Sequence, residues 1–296
     1  MGDAFVNALE LFPRGLVYVG MGLVILVLAK LAQDLVTPYK IGEQLSHKDN
    51  VALAVSITGY YLGIVIVFLG ALYEPIGSAA VVDGLGFTRE YWEDVLSVAI
   101  YSLAGIVVLN VARILVDRFV LYKFSTEKEI ITDQNAGTGA VEFGVFVAVS
   151  LVIAGSISGT DGGPDTALAF GGLGLLVIVL YTFFYDLTTP YDLHEQIEND
   201  NVAVGVALGG NLIAIGIVAF KAVFGEFVSW EAGLAEFVTF AVIGFALLYV
   251  VRRIVDLVLF PGVKVSDELA VDRNLGVAFI MAGSVISVSL ILFFAV

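Results

Sequence analysis

The chain of 296 residues contains no cysteine, which excludes disulfides, thiolate zinc sites, iron–sulfur clusters and cysteine nucleophiles. Histidine occurs only at His47 and His194, positions that no internal repeat relates, so neither a histidine metal site nor a repeated proton relay is expected. Charge is scarce: 15% of residues are charged, against about 25% in soluble domains. Only 14 Lys and Arg stand against 29 Asp and Glu, a formal charge of −15, which argues against nucleic acid, whose phosphates require a basic footprint. A basic leader is missing as well. Asp3 and Glu10 precede the first apolar run, so that run is read as a retained span and not as a signal peptide. Neither Gly-rich segment is a phosphate loop: the one from Gly159 to Gly163 reads as an outer loop, and the one from Gly171 to Gly174 opens an apolar helix. No enzyme and no cofactor are expected.

What the chain has in excess is apolar length. Hydrophobic residues make up 59% of it and its mean hydropathy is +0.98. About 20 apolar residues at 1.5 Å each cross a hydrocarbon core of roughly 30 Å. Eight runs meet that length: Leu16 to Leu35, Val51 to Leu72, Val95 to Leu115, Ala136 to Ile157, Ala167 to Tyr185, Val202 to Phe224, Leu234 to Val251 and Leu275 to Val296. The expected class is an all-α protein of the cell membrane. Eleven Lys and Arg fall on the side of the loops after spans one, three, five and seven, and only Arg14, Arg89 and Lys221 on the other. By the positive-inside rule the first set of loops is cytoplasmic and both termini are outside. Residues 73–94 and 158–166 are then outer loops.

A duplication organises these spans. Asp34-Leu-Val-Thr-Pro-Tyr returns as Asp186-Leu-Thr-Thr-Pro-Tyr, and Asp49-Asn50-Val-Ala as Asp200-Asn201-Val-Ala. Arg113, Asp117, Glu129, Asp133, Asn135 and Gly137 match Arg252, Asp256, Glu268, Asp272, Asn274 and Gly276 at a constant offset. The chain therefore divides into two four-helix halves, 1–159 and 160–296. Within each half, every cytoplasmic loop ends in Glu, then Asp, then Asn, before an apolar helix. The sets are Glu43/Asp49/Asn50, Glu129/Asp133/Asn135, Glu195/Asp200/Asn201 and Glu268/Asp272/Asn274. Each helical hairpin is thus one unit, and since each crosses twice, all four are parallel about the membrane normal.

At these residues the chain resembles the family known as domain of unknown function 350, small bacterial and archaeal proteins of four spans. The resemblance rests on the Asn-Val-Ala segments opening at Asn50 and Asn201 and on the acidic-Asn starts of spans four and eight, although Asn135-Ala-Gly and Asn274-Leu-Gly depart from the first form. It implies a membrane location and no established chemistry.

Two readings of the polar sets stand side by side. Asn or Asp ahead of an apolar run is a preferred N-cap, and Thr37-Pro38 and Thr189-Pro190 look like N-caps followed by proline. Alternatively, the carboxylates and amides converge on a site for a small hard cation. Residues 39–45 and 191–197 read as short interfacial helices. Arg113/Asp117 and Arg252/Asp256, at i and i+4, are expected to pair at the interface. Glu142 lies inside span four, where an ionisable residue is a functional candidate, while its counterpart is Met281. Asn110 and Asn211 read as interhelical hydrogen bonders, and stripes such as Ala136/Ala140/Gly144/Ala148 as packing surfaces. Besides membrane lipid, the expected partners are a small cation, or a cytoplasmic protein or a further copy of the chain: the chain is read as a channel or transporter for a small cation or proton, or alternatively as a membrane scaffold or stress-response accessory protein that recruits cytoplasmic partners.

Overall fold

The computed structural model describes residues 2–73, 87–158 and 162–295, and the described residues form α-helices and one π-helical turn without any strand. Of the two expected outer loops, 74–86 and 159–161 lie outside them, and the ends expected as loop at 89–94 and 164–166 are already helical. Eight long helices cross the membrane: α1 (Gly2–Val36), α3 (Val51–Leu72), α4 (Arg89–Leu115), α6 (Ala136–Ile157), α7 (Pro164–Thr188), α9 (Val202–Val223), α10 (Trp230–Leu259) and α12 (Leu275–Ala295). Four short helices, α2 (Ile41–Ser46), α5 (Thr126–Ile131), α8 (Leu193–Glu198) and α11 (Val265–Ala270), connect the two legs of each hairpin, and Val116–Val120 continue α4 as the π-helical turn.

The second legs are near the minimum for a crossing, with 22, 22, 22 and 21 residues, or about 32 Å each. The first legs run 35, 27, 25 and 30 residues. They outrun the apolar segments read from sequence because flanking polar residues stay helical, Arg89 to Asp94 at the start of α4 and Arg252, Arg253 and Asp256 near the end of α10. One expectation is overturned here. Thr37 and Thr189 do not cap the short helices; their hydroxyls donate back to the carbonyls of Gln33 (2.8 Å) and Tyr185 (2.7 Å) and close α1 and α7. The proline that follows then prevents the helix from continuing.

The helices form two layers. An inner row runs α3, α6, α9, α12, and the outer legs lie over it, α4 in the groove between α3 and α6, α7 between α6 and α9, and α10 between α9 and α12. The inner helices start at the face that carries the short helices, so they are parallel, and the two halves repeat the same arrangement along the row. Glycine closes the row: Gly139 lies against the Ala52 carbonyl, Gly144 against the Gly209 backbone, Gly205 against Gly137 and Gly216 against Ala148. Lipid tails offer no hydrophobic drive between helices, so such backbone approach supplies the packing that holds them. α9 and α6 are the most enclosed spans and α1 the least, as expected of a slab with lipid on its outer surfaces.

Candidate functional site

Each inner helix begins at an asparagine. The side-chain oxygens of Asn50, Asn135, Asn201 and Asn274 accept from the N–H groups of Leu53, Thr138, Val204 and Val277 at 2.9 to 3.2 Å. The residue before each one, Asp49, Gln134, Asp200 or Arg273, has φ between 48° and 59°, the left-handed turn that swings the amide into place. The amide nitrogen has a second task. Asn50 donates to the Ile130 carbonyl (2.8 Å), Asn135 to that of Ile197 (2.6 Å) and Asn201 to that of Leu269 (2.8 Å), so each hairpin is tied to the short helix of the next. These three are buried; Asn274, at the end of the row, is exposed.

The acidic members of the sets do not gather. Asn135 and Asn274 bond Glu129 (3.0 Å) and Glu268 (2.8 Å), but the corresponding partners of Asn50 and Asn201 are Gln44 (3.4 Å) and Gln196 (2.8 Å). Glu43 and Glu195, one residue earlier, face solvent, as do Asp49, Asp133, Asp200 and Asp272. Among the described residues no group of three acidic or histidine side chains is arranged to hold a metal ion. Spacing along the chain hides the glutamines, because Glu precedes each of them and the loop lengths differ by one residue. Asp192 caps α8 through the N–H groups of His194 and Glu195 and meets Lys123 Nζ at 2.8 Å, which holds its carboxyl below the ordinary range.

A second constellation lies two turns into α6. Glu142 is 2% exposed; Ser56 Oγ donates to its Oε2 through a short hydrogen bond, and Arg113 Nε stands 4.0 Å from its Oε1. Arg113 also donates to Tyr39 Oη (2.8 Å) and lies over the Tyr39 ring. The expected Arg113/Asp117 and Arg252/Asp256 pairs do not form within 4 Å: Arg113 turns inward to the buried carboxylate, and Arg252 stacks on Tyr185 with its carbon 4.4 Å from the ring centroid and reaches the Thr189 hydroxyl at 3.3 Å. In the second half Met281 replaces Glu142 and Ala207 replaces Ser56, and both line a cavity of about 230 Å³ beside Arg252. Asn110 donates to Tyr60 Oη (2.9 Å) and Asn211 accepts from Tyr181 Oη (3.0 Å), each joining two helices.

The two roles of the asparagine are separable. Asn274→Ala should cost about 1 kcal/mol, the value of a cap. Asn201→Ala should cost about 1 kcal/mol more, because it also strands the buried Leu269 carbonyl. Thermal unfolding in detergent reads the difference, and equal losses would mean that the tie between hairpins contributes nothing.

Comparison with known proteins agrees with this architecture. The model of Domain of Unknown Function (DUF350) matches residues 7–157 and again 161–296. A UPF0719 transmembrane protein of Aquifex aeolicus is 22% identical over 252 residues, covering 84% of this chain and 87% of its own. The UPF0719 transmembrane protein YshE of Bacillus subtilis is 32% identical over 122 residues, which span 41% of this chain and 84% of that protein. No solved structure matches. Two successive family matches, meeting where the two halves meet, show that this integral membrane protein belongs to the DUF350 family and carries its domain twice.

Proposed function

We propose that the protein is a membrane platform, a rigid row of hairpins that presents an acidic cytoplasmic face to a basic segment of a partner. The observation that carries this reading is the α8 turn. Glu195, Glu198 and Asp200 are exposed there, form no ion pair among the described residues, and lie in a stretch, 186–201, without Lys or Arg. The turn is held in place by the Asn201 bonds to Gln196 and Leu269 and by the Asp192–Lys123 bridge. Fixed carboxylates of one sign raise the local concentration of a cationic ligand. The basic residues flanking the short helices favour their placement in the cytoplasm, with both termini outside the cell membrane.

A second reading, passage of a small cation or proton, draws on Glu142, since intramembrane carboxylates mark ion pathways. The closed glycine seam of the inner row speaks for the platform. One experiment separates them. Labelled oligo-lysine should bind inside-out vesicles carrying the protein, lose binding as salt rises, and bind several-fold less to Glu195→Gln/Glu198→Gln/Asp200→Asn. Binding to right-side-out vesicles would reverse the orientation. A cation or proton flux that Glu142→Gln abolishes would replace the platform with a transporter.

A further inference from the structure

We infer that the row of inner helices continues from one copy of the chain into another, with α12 of one copy seated between α1 and α3 of its neighbour. The inference is independent of what the acidic face binds. It follows from an interface that the chain builds three times and leaves half-built at each end.

Counting from the capping asparagine shows what the interface consists of. The residue nine places on is glycine in every inner helix: Gly59, Gly144, Gly210 and Gly283. The first three pack on the residue eight places after the asparagine of the next helix, namely Phe143, Gly209 and Ala282. Gly283 has nothing within 4 Å of where its Cβ would be. Seventeen places on stand Val67, Val152, Val218 and Ile291. The first three fill a glycine of the outer helix lying over the next groove: Val67 meets Gly105, Val152 meets Gly174 and Val218 meets Gly244. Ile291 meets no such glycine and is 64% exposed. The amide of Asn274 likewise lacks the short-helix carbonyl that its three counterparts reach.

The complementary half is at the other end. The Asp34/Asp186 repeat aligns Gly174 of α7 with Gly22 of α1, and Gly22 has only the tip of Phe68 near it. It lines an apolar cavity of about 430 Å³ between α1 and α3, bounded also by Gly15, Leu26, Ile64 and Leu72. In the other three hairpins the corresponding groove holds the preceding inner helix. Among the described residues no inner helix precedes α3 in the row, and its outward stripe of Val51, Thr58, Leu62, Val65 and Leu69 is exposed. Thr58, eight places after Asn50, is the position that would receive Gly283. By the same count Gly22 would receive Ile291, and the Leu45 carbonyl would accept from Asn274.

Lipid can cover any apolar face, but it does not account for glycine at Gly283 and Gly22, the two places where all three internal interfaces use one. A contact between different faces of identical chains is heterologous, so it closes into a ring or extends as a filament according to the rotation per copy.

The absence of cysteine makes the test direct. A Cβ on Gly105, Gly174 or Gly244 would lie 3.2 to 3.4 Å from the Cβ of its valine, close to the separation in a disulfide. Gly22→Cys and Ile291→Cys chains with different tags, expressed together and oxidised in the membrane, should yield a cross-linked heterodimer. Val67→Cys/Gly105→Cys should close within one chain as the control. Gly22→Trp, whose side chain enters this cavity beside the tip of Phe68, should reduce the particle in nanodiscs to a single chain. The inference is overturned if the control closes and no heterodimer forms, if Ile291→Cys links only to itself, or if Gly22→Trp leaves the assembly unchanged.

Discussion

Arg113→Ala is expected to be among the most damaging single substitutions, lowering stability by about 3–5 kcal/mol, because it leaves a buried carboxylate with no opposing charge. Glu142 is enclosed by α3, α4 and α6, and Ser56 and Arg113 are the groups that face it. A serine hydroxyl can satisfy one oxygen but cannot neutralise it. Glu142→Met should be far milder, within about 1.5 kcal/mol, since Arg113 keeps its bond to Tyr39. The second half already demonstrates the exchange: Met281 stands at that place, and Arg252 there rests on Tyr185 and Thr189. Arg113→Ala/Glu142→Met should therefore recover most of what Arg113→Ala loses. Thermal unfolding of the three variants in one detergent decides the matter. If the double variant is no better than Arg113→Ala, the guanidinium acts through Tyr39 alone and the ion pair contributes nothing.

The same comparison shows what was legible in the sequence. Apolar runs, the duplication and the hairpin unit rest on composition and on spacing along the chain, and they define eight spans, their grouping and their common direction. The asparagines were legible for a related reason: a cap must stand immediately before the run it caps. What depends on a neighbour distant in sequence was not legible. Arg113 has Asp117 one turn away on its own helix, yet the side chain is drawn to Glu142 of α6, where the dielectric is lower and the carboxylate would otherwise be unpaired. The Glu sets failed for a subtler reason. In a six-residue helix, one residue changes the facing direction by about 100°, so Gln44 and Gln196 turn toward the asparagine while Glu43 and Glu195 turn to water. The role of Thr37 and Thr189 is not legible in the sequence, because a threonine before proline serves equally to end a helix or to begin one, and only the partner of the hydroxyl tells which.

Gly144→Val should destabilise the chain by about 3 kcal/mol, the upper end of the range for overpacking, while Gly283→Val should leave a dispersed single chain within about 0.5 kcal/mol of the parent. The two glycines occupy equivalent places in their halves, and both sit mid-span in helices of nearly equal length. Their surroundings differ completely. A Cβ at Gly144 would meet the Gly209 carbonyl and Cα, backbone atoms that no rotamer change can move, so α6 and α9 would have to separate along their shared seam. At Gly283 the same atom enters open space. Intrinsic helix preference acts alike at both sites and cancels in the comparison, leaving the seam as the difference. Unfolding of both variants in detergent, at dilutions that keep chains apart, measures it. Equal losses would mean that glycine is there for its backbone alone, and the close approach of α6 and α9 would no longer explain how the two halves are joined.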